Sequence, residues 1–194
     1  MKTIVCIFSS ILFLFLLSGC KRQNEIPIES IYALFFNYSF ERVNAVNCNE
    51  IEKDVPSMKR ITVFNDANDS IGYIADNHGV LDTMLTNSFV LKEIANELKK
   101  LKPDSVNYPI DARIACVIKY KNGKEEQLCI GGYFADCIEY CGVNQKQNNK
   151  LLYLIKKNIG YYSWMGDQIL EYSEELQDNS FKRDSIIGYS GRKF

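Results

Sequence analysis

The sequence lacks nearly every residue pattern by which bond-making chemistry is recognised. His78 is its one histidine. A Ser-His-Asp triad or a Cys-His pair would have to recruit it, yet no GxSxG elbow and no cysteine-protease context is present. His78 lies in the turn-like run Asp76-Asn77-His78-Gly79, where an exposed polar residue is the ordinary occupant. No CxxC pair and no zinc-ligand spacing occurs. Gly131-Gly132 and Gly142 make no phosphate-binding pattern. Asp66, Asn68 and Ser70 imitate the start of a calcium loop. Its sixth position is Ile71 and its twelfth is Asn77, where glycine and glutamate are required. The expectation is therefore no catalytic residues, no metal ligands and no cofactor.

Charge is also missing as a signal. The chain has 23 Lys+Arg against 24 Asp+Glu, which offers no electrostatic footprint for nucleic acid. Internal repeats are absent. After the N-terminus no apolar run approaches the ~18 residues of a membrane helix. What is present is apolar bulk: hydrophobic residues make up 46% of the chain and aromatics 12%, too much for a disordered protein and enough for one real core.

The N-terminus is the most informative stretch. Lys2 precedes an apolar run over residues 4–17, and the run closes on Leu17-Ser18-Gly19-Cys20 with no acidic residue before Cys20. A charged start, a short apolar segment and small closing residues describe a secretory signal, too short for an ordinary span. The four closing residues resemble the lipobox of bacterial lipoproteins. That resemblance implies cleavage before Cys20 and lipid on its thiol and new amine, with about three acyl chains. Each buried methylene contributes ~0.8 kcal/mol, so several chains together hold firmly to a bilayer. Lys21 and Arg22 can lie against anionic head groups. By analogy with lipoprotein sorting, the lack of Asp after Cys20 favours the outer membrane. The run Lys21-Arg22-Gln23-Asn24-Glu25 is not the acidic stretch of surface-exported lipoproteins, so a periplasm-facing position is expected.

Four tripeptides repeat a pattern of Asp, a hydroxyl residue and an apolar one. They are Asp69-Ser70-Ile71, Asp82-Thr83-Met84, Asp104-Ser105-Val106 and Asp184-Ser185-Ile186. Average composition predicts about half a match in this length. They resemble the acceptor motif of an O-glycosylation system that acts on exported proteins in some anaerobic Gram-negative bacteria. That resemblance makes Ser70, Thr83, Ser105 and Ser185 candidate acceptors. The alternative is turn and cap chemistry, which Asp-Ser also serves. A glycan is bulky and solvated, so a modified residue must be exposed.

Periodicity then divides the chain. Residues 31–40 are dense in β-favouring residues. Asn49 with Glu52 makes a capping-box pattern for a short helix ending near Pro56. Residues 58–65 and 70–75 read as two strands joined by a turn. Residues 89–102 form the clearest helix, striped by Val90, Ile94, Leu98 and Leu101, capped by Asn87 or Ser88 and stopped at Pro103. Residues 110–140 read as a three-stranded meander, with Asn122-Gly123 as a hairpin turn and Gly131-Gly132 as the next. A helix follows over 151–159, with Leu151, Leu152, Ile155 and Ile159 inward and Gly160 as its stop. Ser163 can cap a last helix to about Leu176, buried through Met165, Ile169, Tyr172 and Leu176. Strands with helices appended, not alternating with them, predict an α+β domain with a mostly antiparallel sheet. The expected division is a signal peptide at 1–19, a tether at 20–29, the α+β domain at 30–177 and a loose polar tail at 178–194.

Five cysteines remain beyond Cys20: Cys48, Cys116, Cys129, Cys137 and Cys141. An exported chain meets an oxidising compartment, where disulfides persist. A two-residue Asn122-Gly123 turn pairs Lys121 with Lys124 and, counting outward, Cys116 with Cys129. That position brings Cα atoms to ~4.5 Å, so these two are expected to be neighbours. A register slip of one residue would separate them. Cys137 and Cys141 would lie ~13 Å apart in a continuous strand, beyond bonding reach. The expected function is a non-enzymatic, lipid-anchored binding module. It meets the membrane through Cys20 and also binds an envelope protein or ligand. The competing readings are an immunity or inhibitor lipoprotein against a toxin or protease, and an enzyme using an unpaired thiol.

Overall fold

The computed structural model describes residues 26–36, 46–54, 61–64, 70–74, 80–106 and 108–194. An open antiparallel sheet runs through the domain. Strand β1 (Ile28–Phe36) lies between β4 (Val80–Leu85) and β5 (Ala112–Tyr120). Beyond β5 come β6 (Glu125–Gly131), β7 (Cys137–Tyr140) and β8 (Val143–Gln145), each beside the one before. A separate pair, β2 (Ile61–Phe64) with β3 (Ser70–Ile74), forms a two-stranded sheet. Helices α1 (Ser88–Leu98), α2 (Asn149–Asn158), α3 (Asp167–Tyr172) and α4 (Glu174–Gln177) complete a single α+β domain.

Alternation along the strands sorts the core into two clusters. Ile31, Ala33 and Phe35 of β1 join Ile114, Cys116 and Ile118 of β5, Leu128 and Ile130 of β6, and Ile138 of β7. Leu91, Ile94 and Leu98 of α1 and Leu151, Leu152 and Ile155 of α2 pack in the same cluster. Period two on the strands and period 3.6 on the helices thus bury one continuous apolar layer. Phe36, Ala112, Ala115 and Cys129 belong to a second cluster, joined by Val46 and Ile51. The segment before Cys48–Asp54, a 3-10 turn, is tied to β5: Ala112 N donates to Val46 O at 2.8 Å, and Val46 N to Asp111 Oδ1 at 3.0 Å.

Helix α1 is capped as expected. Asn87 Oδ1 accepts from the N–H groups of Phe89 and Val90 at 3.0 and 3.3 Å. Helix α2 is capped by Asn148, whose Oδ1 accepts from Leu151 N at 3.0 Å, and it stops at Gly160, φ 78°.

Several expectations are corrected. The β5–β6 hairpin turns through three residues, not two. Tyr120 N donates to Lys124 O at 2.9 Å, and Gly123 adopts φ 82°. The extra turn residue moves the ladder by one, so Cys129 opposes Ala115 and Cys116 opposes Leu128. Cys116 therefore falls in the main cluster and Cys129 in the second. Cys129 is bonded to Cys48, with Cα atoms 5.8 Å apart, and Cys116 is a free, buried thiol.

The end of the stretch expected as a tether is strand instead, because β1 begins at Ile28, which is buried. Asn49 lies inside the 3-10 segment, not before it, and its Oδ1 accepts from Gln127 Nε2 at 2.6 Å. The last helix is broken into α3 and α4, and Tyr172 is 67% exposed. The tail is docked. Ile186 is buried, its N–H and carbonyl pair with Phe194, and Asp184 N donates to Tyr153 Oη at 2.8 Å.

Candidate functional site

A cleft of about 580 Å³ opens between α1, the start of β1 and the hairpin end of the sheet. Its apolar walls are Ile28, Leu91, Ala95 and Leu98. Leu91 and Leu98 also belong to the core, so the cleft is an extension of it that the described residues leave open. Ile26 and Pro27 form one border, where Pro27 O accepts from Lys121 N at 3.0 Å. Among the described residues, Lys92, Lys99 and Lys121 line the cleft, and no carboxylate does. Its size and apolar lining are those of ligand pockets in general.

Tyr120 and Tyr140 also line the cleft, and alternation explains what their hydroxyls meet. Glu126, Leu128 and Ile130 share one face of β6, so Glu126 ends the apolar row and is largely covered by its neighbours. A carboxylate taken from water needs donors. Glu126 Oε2 accepts from Tyr120 Oη at 2.5 Å and from Tyr140 Oη, while Lys124 Nζ pairs with Oε1. Burial opposes its ionisation, but the Lys124 ammonium and the two hydroxyls hold its carboxyl below the usual 4.5. Burial, then the carboxylate, push Tyr120 up to about 12 and raise Tyr140 further. The two hydroxyls and the Lys124 ammonium are thus engaged by one ionised carboxylate at the end of the cleft.

The thiols are separated. Cys116 is fully enclosed, and burial pushes its thiol up to about 12. Cys137 is half-buried; burial and Asp136 raise its thiol, against a hydrogen bond from Tyr108. Cys141 is exposed in the turn between β7 and β8, with φ 50°. The turn follows β7, so Cys137 and Cys141 stay unbonded at opposite ends of the strand. His78 and any bond it makes lie outside the described residues. Among the described residues no group of three or more His, Cys, Asp or Glu could hold a metal ion. Among them too, no helix is long and apolar enough to cross a membrane.

The candidate glycan acceptors differ in access. Ser105 and Ser185 are exposed, and Thr83 is half-buried on β4. Ser70 begins β3, and its side chain lies outside the described residues, as does Cys20. At Ser105 the turn alternative has substance: Asp104 Oδ1 accepts from Ser105 N at 2.6 Å.

Two further charged clusters were not legible in the sequence. Lys156 and Glu175 are buried and paired at 2.6 Å. Lys156 also donates to Phe134 O, and Tyr162 Oη donates to Glu175 Oε1 at 3.1 Å. This pair joins α2 to α4, and burial lowers the Lys156 ammonium despite Glu175. A second cavity, of about 540 Å³, is ringed by Lys100, Lys102, Lys146 and Lys150. Lys100 and Lys150 share Glu97 Oε1 at 2.9 and 3.3 Å. Nothing in the hydrophobic pattern of α1 or α2 foretold that Glu97 would be buried.

No protein-family model matches this chain, and no curated protein or solved structure matches it.

Proposed function

We propose that this chain is a lipid-anchored binding module of the cell envelope. Acyl chains on Cys20 hold it at the outer membrane, facing the periplasm, and it captures a ligand in the cleft beside its tether without altering the ligand's bonds. The observation that carries the reading is the cleft itself: about 580 Å³ of apolar space bordered by Ile26 and Pro27, the first described residues after the anchor. Of the three free thiols among the described residues, Cys116 and Cys137 are raised by burial, which favours binding over thiol chemistry. Ala95 is half-buried on the cleft wall, so Ala95→Trp fills the space from a helix surface. Cross-linking in native membranes should join the wild-type chain to an envelope component and lose that product with Ala95→Trp. An unchanged product would reject the cleft as the site. Turnover of a substrate by the purified chain would reject the binding-module reading.

A further inference from the structure

We propose that the cleft takes one acyl chain of an anionic phospholipid drawn from the bilayer that anchors the protein, an inference that rests on the binding-module reading. Position argues first. Five residues separate Cys20 from Ile26. Even fully extended, that connection keeps the cleft border within about 20 Å of the acylated cysteine. Pro27 is fixed to the hairpin through Lys121 N, so the cleft stays at the membrane-side end of the domain as the body swings.

Lining argues second. Ile28, Leu91, Ala95 and Leu98 present hydrocarbon, and the hydroxyls of Tyr120 and Tyr140 are committed to Glu126. On the inner wall a polar ligand would find these hydroxyls already engaged, while the other uncharged polar liners, Ser88 and Asn96, are exposed; an acyl chain needs no partner there. Charge argues third. Among the described residues the lining contributes Lys92 and Lys121, both exposed, and no carboxylate, in a chain whose formal net charge is −1. Positive charge is thus concentrated where an anionic head group would rest. The anchor's own chains are not the assigned occupant, because a chain withdrawn into the cleft would leave the bilayer that it serves to hold.

The test uses the acylated protein in vesicles of phosphatidylethanolamine and phosphatidylglycerol. The probe is phosphatidylglycerol with a diazirine on one acyl chain, irradiated and mapped by peptide mass spectrometry. Label is expected on α1 between Leu91 and Leu98 and near Tyr120 and Tyr140, at least ~fivefold above the rest of the chain. Ala95→Trp should remove most of it, with an unchanged circular dichroism spectrum. Lys92→Glu with Lys121→Glu, both exposed, should lower labelling by this probe and spare labelling by a phosphatidylethanolamine analogue. Label spread evenly, or confined to Ile26 and Pro27, overturns the inference, as does occupancy by the anchor's own chains. If lipid label is absent but Ala95→Trp abolishes capture of another envelope component, the lipid inference fails and the module reading stands. If Ala95→Trp changes neither lipid labelling nor capture, both fail.

Discussion

Cys48→Ser opens the bond to Cys129 and leaves the buried partner in place, so it isolates the cross-link from the packing. The bond closes a sequence separation of 81 residues. Loop-closure entropy for that length corresponds to about 4.5 kcal/mol in the chain-entropy account. For a chain of this size each kcal/mol moves the melting temperature by roughly 2–4 °C, so a fall of about 10 °C is expected. The second cluster should survive in part, because two backbone bonds to Val46 and the Asn49–Gln127 bond hold the same segment. The assay is thermal unfolding of wild type, of wild type with dithiothreitol, and of Cys48→Ser, together with peptide mapping without reduction. The two perturbed samples should melt alike and below wild type, and mapping should recover a Cys48–Cys129 peptide. A Cys116–Cys129 peptide, or perturbed samples that melt within about 2 °C of wild type, would refute the register and the role assigned to the bond.

Three other outcomes are expected. A Cβ at Gly131 would overlap Ile110 Cγ2 and the Asp111 carbonyl, so Gly131→Ala should cost about 1–3 kcal/mol or more in urea unfolding. Lys156→Met strands the Glu175 carboxylate and should cost about 3–5 kcal/mol, with most of the loss recovered in Lys156→Met/Glu175→Leu; a single variant as stable as wild type would contradict the pairing. Burial raises Glu97 and Glu126 but their ammonium and hydroxyl partners lower both below 4.5, so they contribute stability above that pH and lose it as pH falls through their folded values. Melting temperature measured from pH 6 to pH 3 should therefore fall, and fall less steeply in Glu97→Gln.

What could be read ahead of the structure was what local rules decide. Alternation over β5 and β6 and the stripes of α1 and α2 were visible because each face is apolar on one side. β4 was not visible. Its Asp82-Thr83 reads as turn chemistry, and only pairing with β1 makes it a strand. The hairpin at Asn122-Gly123 was found and its loop length was not, since one asparagine-glycine pair serves both two- and three-residue loops. That single residue moved Cys129 to the other face and exchanged its partner. The start of α3 at Asp167, after the expected Ser163, and the docked tail depend on contacts between distant segments, such as Tyr189 N to Met165 O at 3.4 Å. The cleft was illegible for the same reason: Ile28, Leu91 and Tyr140 come from three separate elements.

The anchor is the premise on which the cleft's position acquires meaning. Intact-mass measurement on protein taken from membranes, with mapping of its first peptide, tests it most directly. The chain should begin at Cys20 with acyl chains on the thiol and the amine. A mass that retains Met1 and the leader, or an unmodified Cys20, would contradict the account.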